Sequence, residues 1–221
     1  RPLEIPKVEY FNGSNWRQIY GDIKEELPPD MPDSKMKEVT VTIFFDASHA
    51  DDQVTRRSMT GIIVFFDSTP VRWYCKKQAT IESSTYGSEI VAGRIGTEMG
   101  IEMRYSLRML GVPIKEVRLL GDNRGMIQNC SIMASQLKKK HNAIAYHRIR
   151  EAVAGGIITL GHIPTDSNLS DILTKALRGP KLHSLTKELL FRAIDSGECE
   201  DKEQSNLSLD KNDNVQSINR G

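Results

Sequence analysis

The stretch VTIFFDASHADD, Val41 to Asp52, is a run of apolar, β-favouring residues that stops abruptly on the carboxylate of Asp46. The run predicts a buried strand, and the small polar residues after it are typical of a turn. Asp and Ser often begin turns because their side chains bond nearby backbone N–H groups, which would explain Asp46 without any function. Further carboxylates at similar positions would instead indicate a site.

The sequence that surrounds this stretch predicts a mixed α/β fold. Three strands come first, VTVTIFFDAS, TGIIVFF and VRWYCKKQ, and a long amphipathic helix follows from about Ser84 to Leu110. The strand VRLLGD, two further helical segments, the strand IITLGHIP and a short last helix complete the order βββαβαβα. This order predicts an antiparallel meander joined to parallel strands by helical crossovers, and therefore a mixed five-stranded sheet with helices on both faces.

Three more acidic residues occur where this fold could bring them to Asp46. Asp122 ends the fourth strand, Glu89 lies in the first turns of the long helix, and Asp171 lies on the last helix. Four carboxylates in one pocket repel one another unless a cation is bound. Ligands that are all oxygen point to Mg²⁺ or Mn²⁺, and a pair of such ions is suited to cleaving phosphodiesters. The alternative is that each acid is only a strand-end or helix residue.

The chain outside residues 39–178 has a different composition. Residues 1–38 are rich in proline and predict a linker arm, in which Trp16 and Tyr20 could dock on a neighbour. Residues 179–195 could form an extra helix, and the polar, acidic residues 196–221 are expected to be disordered. Basic residues exceed acidic ones in the middle segment but not in the flanks, which is compatible with a polyanionic partner.

Other global features exclude some classes of protein. No apolar run approaches the roughly 20 residues that span a bilayer, so we expect no membrane partner. Three widely separated cysteines argue against a disulfide framework and favour a reducing compartment. Because the chain begins with Arg1 rather than Met, we expect it to be a piece of a longer protein such as a polyprotein.

Five motifs occur in register: FDAS, SSTYGSEIVA, LGDNRG, KKHNAIAYHRIRE and NLSDILTK. Together they resemble the ribonuclease H domain of copia-type retrotransposon Pol polyproteins, which lies C-terminal to the reverse transcriptase. The resemblance covers about residues 39–178, and the upstream segment NWRQIYGDIKEELPPDMP resembles the polymerase–nuclease connection of some of these elements. It implies a ribonuclease H-like fold in which Asp46, Glu89, Asp122 and Asp171 are the catalytic and metal-binding residues.

The resemblance also implies a function. The protein would be an endonuclease that uses two Mg²⁺ ions, or Mn²⁺ in their place, to hydrolyse the RNA strand of RNA–DNA hybrids during reverse transcription. Its partners would be the hybrid and the reverse transcriptase domain of the same polyprotein. It would act in the cytoplasm, in the virus-like particle of the element, and a nuclear phase would also be consistent with the resemblance. The alternative is a hybrid-binding tether that is non-catalytic or depends on the polymerase.

Several residues are candidates for binding the substrate. Asn123 and Arg124 follow Asp122 directly. Asn168 could contact the ribose 2′-OH that distinguishes RNA from DNA, or it could cap the last helix. Three basic runs could contact the nucleic-acid backbone or simply be solvated surface charge: Arg56 and Arg57, Lys76 and Lys77, and Lys138 to Lys140. Trp73 is expected in the core rather than on a stacking surface.

Overall fold

The computed structural model describes residues 3–11, 15–135, 137 and 140–190, which fold around one mixed β-sheet. The strands are β1 (Glu9–Tyr10), β2 (Val39–Ala47), β3 (Met59–Phe66), β4 (Thr69–Lys77), β5 (Ile114–Gly121) and β6 (Thr159–His162). The helices are α1 (Arg17–Tyr20), α2 (Thr85–Met109), α3 (Arg124–Ser131), α4 (Ala143–Ala154), α5 (Asp171–Thr174) and α6 (Gly179–Thr186). The predicted tail, residues 196–221, lies outside the described residues.

The sheet combines an antiparallel meander with parallel strands, in the order β1-β6-β5-β2-β3-β4. Strands β2, β3 and β4 pair antiparallel, whereas β5 is parallel to β2 and β6 is parallel to β5. Asp67 makes the turn between β3 and β4 at a φ of 50°, and its Oδ1 accepts the backbone N–H of Thr40 at 2.9 Å. The mixed α/β class is confirmed, and after residue 38 the strands and α-helices run βββαβααβαα, with two helices between β5 and β6 and two after β6.

One face of the sheet packs against the crossover helices. Ile43 and Phe45 of β2 point to this face, together with Leu119 of β5. Helix α2 lies close to the sheet because its glycines have no side chain. A Cβ at Gly96, for example, would come within 2.8 Å of Leu119 Cδ1. The glycines of α2 therefore lower its helix propensity but allow the helix to lie in close contact with the sheet.

The opposite face carries a second apolar cluster. Phe44, Ile63 and Phe65 point to this face from β2 and β3. Leu169, just before α5, and Leu185, on α6, pack on them. Helices therefore cover both faces, as predicted, and β2 is buried on both sides, which explains its nearly continuous apolar sequence.

None of the described helices combines the length and the apolar character that a bilayer crossing requires.

The sheet has six strands in the described residues, so the prediction of five was wrong. The additional strand is β1, which pairs antiparallel with β6 and places Glu9 opposite His162 and Tyr10 opposite Gly161. Gly161 makes room for the arm, because a Cβ there would lie 2.4 Å from Val8 Cγ1. A strand of two residues has no hydrophobic period, which is why the sequence did not reveal it.

The rest of the arm also contacts the helices. The Tyr20 hydroxyl lies 2.7 Å from His147 Nδ1, and the Arg150 guanidinium stacks 4.8 Å from the centroid of the Trp16 ring. A group that we call the arm ion pairs joins Glu25 to two arginines of α2: Arg104, at 2.7 Å and 2.8 Å, and Arg108, at 2.5 Å. The arm therefore docks on the sheet and helices of its own chain.

Candidate active site

Three aspartates converge at one edge of the sheet. Because β2 and β5 are parallel neighbours, their carboxyl ends meet, which brings Asp46 near the end of β2 to Asp122, just after β5. Asp171 is the first residue of α5. Each aspartate offers an oxygen within 4.8 Å of the others. Asp46 and Asp171 are 1% and 0% exposed, whereas Asp122 is half-buried.

Glu89 adds a carboxylate next to these aspartates, although it is not within the 4.8 Å group. Ser84 caps α2 by accepting the N–H of Gly87 at 3.3 Å, which places Glu89 in the second turn. Glu89 is 5% exposed, accepts a hydrogen bond from the backbone of Ala47, and lines a cavity of about 340 Å³ with Asp122. Its Oε2 has no hydrogen-bond partner. We call Asp46, Glu89, Asp122 and Asp171 the carboxylate cluster.

The carboxylate cluster disfavours joint ionisation. Burial, followed by the charges of Asp46 and Asp122, raises the pKa of Glu89 well above its usual range. Burial also raises the pKa of Asp46, although a hydrogen bond from Thr174 and the charge of Lys175 act in the opposite direction. A site that is poorly neutralised by its own surroundings favours binding of a further cation.

Sequence reasoning missed two lysines and a threonine in this site. Lys175 Nζ lies 2.6 Å from Asp171 Oδ1 and 3.2 Å from Asp46 Oδ1. Lys181 Nζ lies 2.8 Å from Asp171 Oδ2, and the Thr174 hydroxyl donates to Asp46 Oδ2. Burial opposes the charge of Lys175, but the hydrogen bond to Asp171 and the surrounding acids raise its pKa. The i,i+4 spacing in the DILTK motif was the available signal for the pair of Asp171 and Lys175.

The donor set fits a metal ion. All four candidate ligands are carboxylates, the kind of ligand that hard divalent cations prefer. The unpartnered buried oxygen of Glu89 and the short separation of the aspartates are the structural observations that favour such an ion.

Asn123 and Arg124, the predicted substrate residues next to Asp122, have different surroundings. Asn123 caps α3, its Oδ1 accepts the N–H of Met126 at 3.1 Å, and it lines the cavity that Glu89 and Asp122 share. Arg124 is exposed but is held by the arm, since its guanidinium lies 2.7 Å from the Glu9 carboxylate. Asn123 is therefore the better placed of the two.

Asn168, for which a ribose contact or a helix cap was predicted, is buried and hydrogen-bonded within the protein. Asn168 is 0% exposed, and its Nδ2 donates to the carbonyl of Phe45 at 3.0 Å. Its Oδ1 accepts from the hydroxyl and the backbone N–H of Ser170, at 2.6 Å and 3.3 Å. Asn168 thus joins β2 to the start of α5, and it positions Asp46 and Asp171 relative to each other.

The basic candidates that the structure describes are on the surface. Arg56, Arg57, Lys76, Lys77 and Lys140 are exposed, and Lys138 and Lys139 lie outside the described residues. Lys77 pairs with Asp52, and both line a cavity of about 380 Å³ with Arg57 and Lys175.

The expectation that Trp73 is in the core was wrong, because Trp73 is 74% exposed. It lies on β4, which is an edge strand of the sheet.

Comparisons with known proteins give a sequence relationship. No protein-family model matches the chain. The chain is 31% identical over 195 residues to a retrovirus-related Pol polyprotein from the transposon TNT 1-94 of Nicotiana tabacum, and the match covers 86% of the chain and 14% of that protein. It is 30% identical over 139 residues to the Pol polyprotein from transposon RE1 of Arabidopsis thaliana, which covers 61% of the chain and 9% of that protein. The chain therefore spans only a small part of these relatives.

The solved structures to which the chain is similar include two ribonuclease H proteins. One is the N-terminal RNase H domain of rv2228c from Mycobacterium tuberculosis, with 14% identity and a TM-score of 0.49 over 68% of this chain and 98% of that chain. The other is LC11-RNase H1 in complex with an RNA/DNA hybrid, with 14% identity and a TM-score of 0.44 over 61% of this chain and 93% of that chain. By its sequence, the chain is homologous to a segment of the retrovirus-related Pol polyproteins of plant transposons.

Proposed function

We propose that the chain is a ribonuclease H, an endonuclease that hydrolyses the RNA strand of RNA–DNA hybrids with divalent metal ions. The observation that carries this proposal is the convergence of Asp46, Asp122 and Asp171, from three separate parts of the chain, within 4.8 Å. Glu89 shares a cavity with Asp122 and supplies a fourth carboxylate. The homology to Pol polyproteins supports a role in removing genomic RNA during reverse transcription of a retrotransposon.

The carboxylate cluster would hold Mg²⁺, or Mn²⁺ in its place. Bound divalent ions would supply an activated water and stabilise the negative charge that develops on the departing ribose oxygen. The protein's part is to fix its ligands before the substrate arrives. The buried hydrogen bond from Thr174 orients Asp46, and the backbone of Ala47 orients Glu89. Cleavage would leave 5′-phosphate and 3′-hydroxyl ends, as the resemblance implies.

The surroundings of the cluster suit a polyanionic substrate. Asn123 lines the cavity beside Glu89 and Asp122 and is within reach of a nucleotide that enters it. Arg57, Lys77 and Lys175 line the neighbouring cavity together with Asp51 and Asp52, so three cationic side chains lie beside the carboxylate cluster. Contacts of this kind to backbone phosphates give affinity that falls as salt is added.

Cleavage of a hybrid with a labelled RNA strand tests the proposal. We expect the wild-type chain to cut the RNA in Mg²⁺ and to stop when EDTA is added. Asp122→Asn removes the charge of a candidate metal ligand. Losing an outer-shell partner of a metal site costs up to about 100-fold in activity, so we expect the loss of a ligand to lower the rate by at least about 100-fold. Asp30→Asn, a change at an exposed aspartate of the arm, is the matched control and should leave the rate unchanged.

Two outcomes would contradict the proposal. The first is undiminished cleavage by Asp122→Asn, since the activity would then not depend on the carboxylate cluster. The second is hybrid binding by the wild type without turnover, with or without added reverse transcriptase, which would indicate the non-catalytic tether. Turnover that appears only when reverse transcriptase is added would indicate the polymerase-dependent form instead. Partnership with the polymerase and a cytoplasmic, particle-bound location stay predictions that follow from the proposal.

A further inference from the structure

The ammonium group of Lys175 bridges the two most deeply buried aspartates. It contacts Oδ1 of Asp171 at 2.6 Å and Oδ1 of Asp46 at 3.2 Å. The other oxygen of each carboxylate has its own partner, since Thr174 donates to Asp46 Oδ2 and Lys181 lies 2.8 Å from Asp171 Oδ2. Lys175 therefore occupies the pair of oxygens that the rest of the protein leaves for a cation.

This position matches the place that a metal ion would take. A lysine ammonium is a compact point charge with three donors and can satisfy carboxylates that face each other. Lys175 brings one positive charge to the carboxylate cluster, whereas a divalent ion would bring two positive charges. An ammonium group and an ion cannot both lie between Asp46 and Asp171, so they would compete for these oxygens.

The side chain of Lys175 lies at the edge of the site, where it has room to move towards solvent. Its backbone follows the last residue of α5, and its side chain is 37% exposed, unlike the aspartates that it contacts. It lines the cavity of Glu89 and Asp122 on one side, and the cavity of about 380 Å³ on the other. Lys181 would remain on Asp171 after the exchange, so that aspartate keeps a partner throughout.

We propose that Lys175 is the resident counter-cation of the carboxylate cluster in the ion-free protein, and that a divalent ion displaces it. The displaced ammonium would face the adjoining cavity beside Arg57 and Lys77, on the side where phosphates of a substrate would be held. Lys175 is thus a positioning residue that keeps the ligands assembled before the ion binds. The inference rests on the proposed function, because that function makes the cluster a metal site.

Calorimetric titration of the full chain with Mg²⁺, in the absence of nucleic acid, tests the exchange. Lys175→Met removes the competing charge but keeps most of the side chain. We expect the Lys175→Met variant to have a lower melting temperature than the wild type in EDTA. If Lys175 leaves the wild-type site open for about a tenth of the time, the variant should bind Mg²⁺ about tenfold more tightly. Lys181→Met is the matched control: it removes a lysine from the other oxygen of Asp171 and should not tighten binding.

Equal or weaker binding of Mg²⁺ by folded Lys175→Met would overturn the inference, because the lysine would then not compete with the ion. A measurement on the wild type covers the case in which that variant does not fold. The side-chain NMR signals of Lys175, assigned with Lys175→Arg, should move towards those of exposed lysines as Mg²⁺ is added, while those of Lys181 change little. A Lys175 signal that saturating Mg²⁺ leaves unmoved would also overturn it.

These results separate the inference from the proposed function. If Mg²⁺ displaces Lys175 but no hybrid is cut, the exchange stands and the ribonuclease proposal fails. If hybrid is cut in Mg²⁺ but Lys175→Met does not bind the ion more tightly, only the exchange fails.

Discussion

The carboxylate cluster and the arm ion pairs are both charged groups that are largely withdrawn from solvent, but they differ in their balance of charge. At Glu25, burial acts to raise the pKa, yet hydrogen bonds from Arg104 and Arg108 outweigh it and lower the pKa. At Glu89, burial and neighbouring acids act in the same direction and raise the pKa. The carboxylate of the first group is fully paired by arginines, whereas the second group keeps an excess of carboxylates.

This difference assigns the two groups to different tasks. A carboxylate paired with two arginines contributes to the docking of the arm, and the loss of one arginine should be seen in stability. An excess of buried carboxylates costs stability and is retained where the charge serves a purpose, which makes it a candidate functional site. The comparison therefore predicts opposite consequences for mutations in the two places.

The largest stability effect is expected in the arm ion pairs. Arg104→Met leaves the Glu25 carboxylate with one partner instead of two, and breaking a buried pair costs about 3–5 kcal/mol. Because the side chain of Glu25 is 19% exposed, we expect a smaller loss, about 2 kcal/mol, with hybrid cleavage retained. Urea denaturation measures the loss.

The control for this variant is Arg94→Met, which removes an exposed i,i+4 pair with Glu98 on the same helix and should cost no more than about 0.5 kcal/mol. A loss for Arg104→Met as small as that of the control would show that the arm ion pairs do not hold the arm.

A smaller effect, of opposite sign, is expected at Glu89. Because its pKa is raised above the ordinary value of 4.5, the folded state keeps this proton to higher pH than the unfolded state does. Stability in EDTA should therefore fall as the pH rises above 4.5, and Glu89→Gln should relieve that fall. The advantage of the variant should grow from pH 4 towards neutrality in denaturation curves.

Glu25→Gln is the matched comparison. Since the pKa of Glu25 is lowered, its contribution to stability is present above 4.5 and is lost as the pH falls through the pKa of the folded state. The variant should therefore be destabilised at neutral pH and approach the wild type in acid. If both variants changed stability in the same direction at neutral pH, the contrast between the two groups would be wrong.

The sequence predicted the parts of the site that depend on local pattern. An apolar run that ends in an acid located Asp46, and the strand VRLLGD located Asp122, because parallel neighbours bring their carboxyl ends to one edge. The motif order then added Glu89 and Asp171. These four residues lie together in the structure, and their catalytic role stays a prediction.

The parts that depend on tertiary packing could not be predicted in this way. Lys181 reaches Asp171 only because α6 folds back along the sheet. The two residues are ten positions apart, a spacing that does not predict a contact within one helix. The burial of Asn168 and the exposure of Trp73 follow from which strand is central and which is at the edge. In strand β1, Tyr10 pairs with Gly161, which is 151 positions later in the sequence but directly opposite in the sheet.

Anomalous diffraction from crystals soaked in Mn²⁺ tests the central claim most directly. We expect an anomalous peak bounded by carboxylate oxygens of Asp46, Asp122 and Asp171, with the ammonium of Lys175 moved away from Asp46. Peaks at other positions alone, with Lys175 still bridging Asp46 and Asp171, would contradict the account.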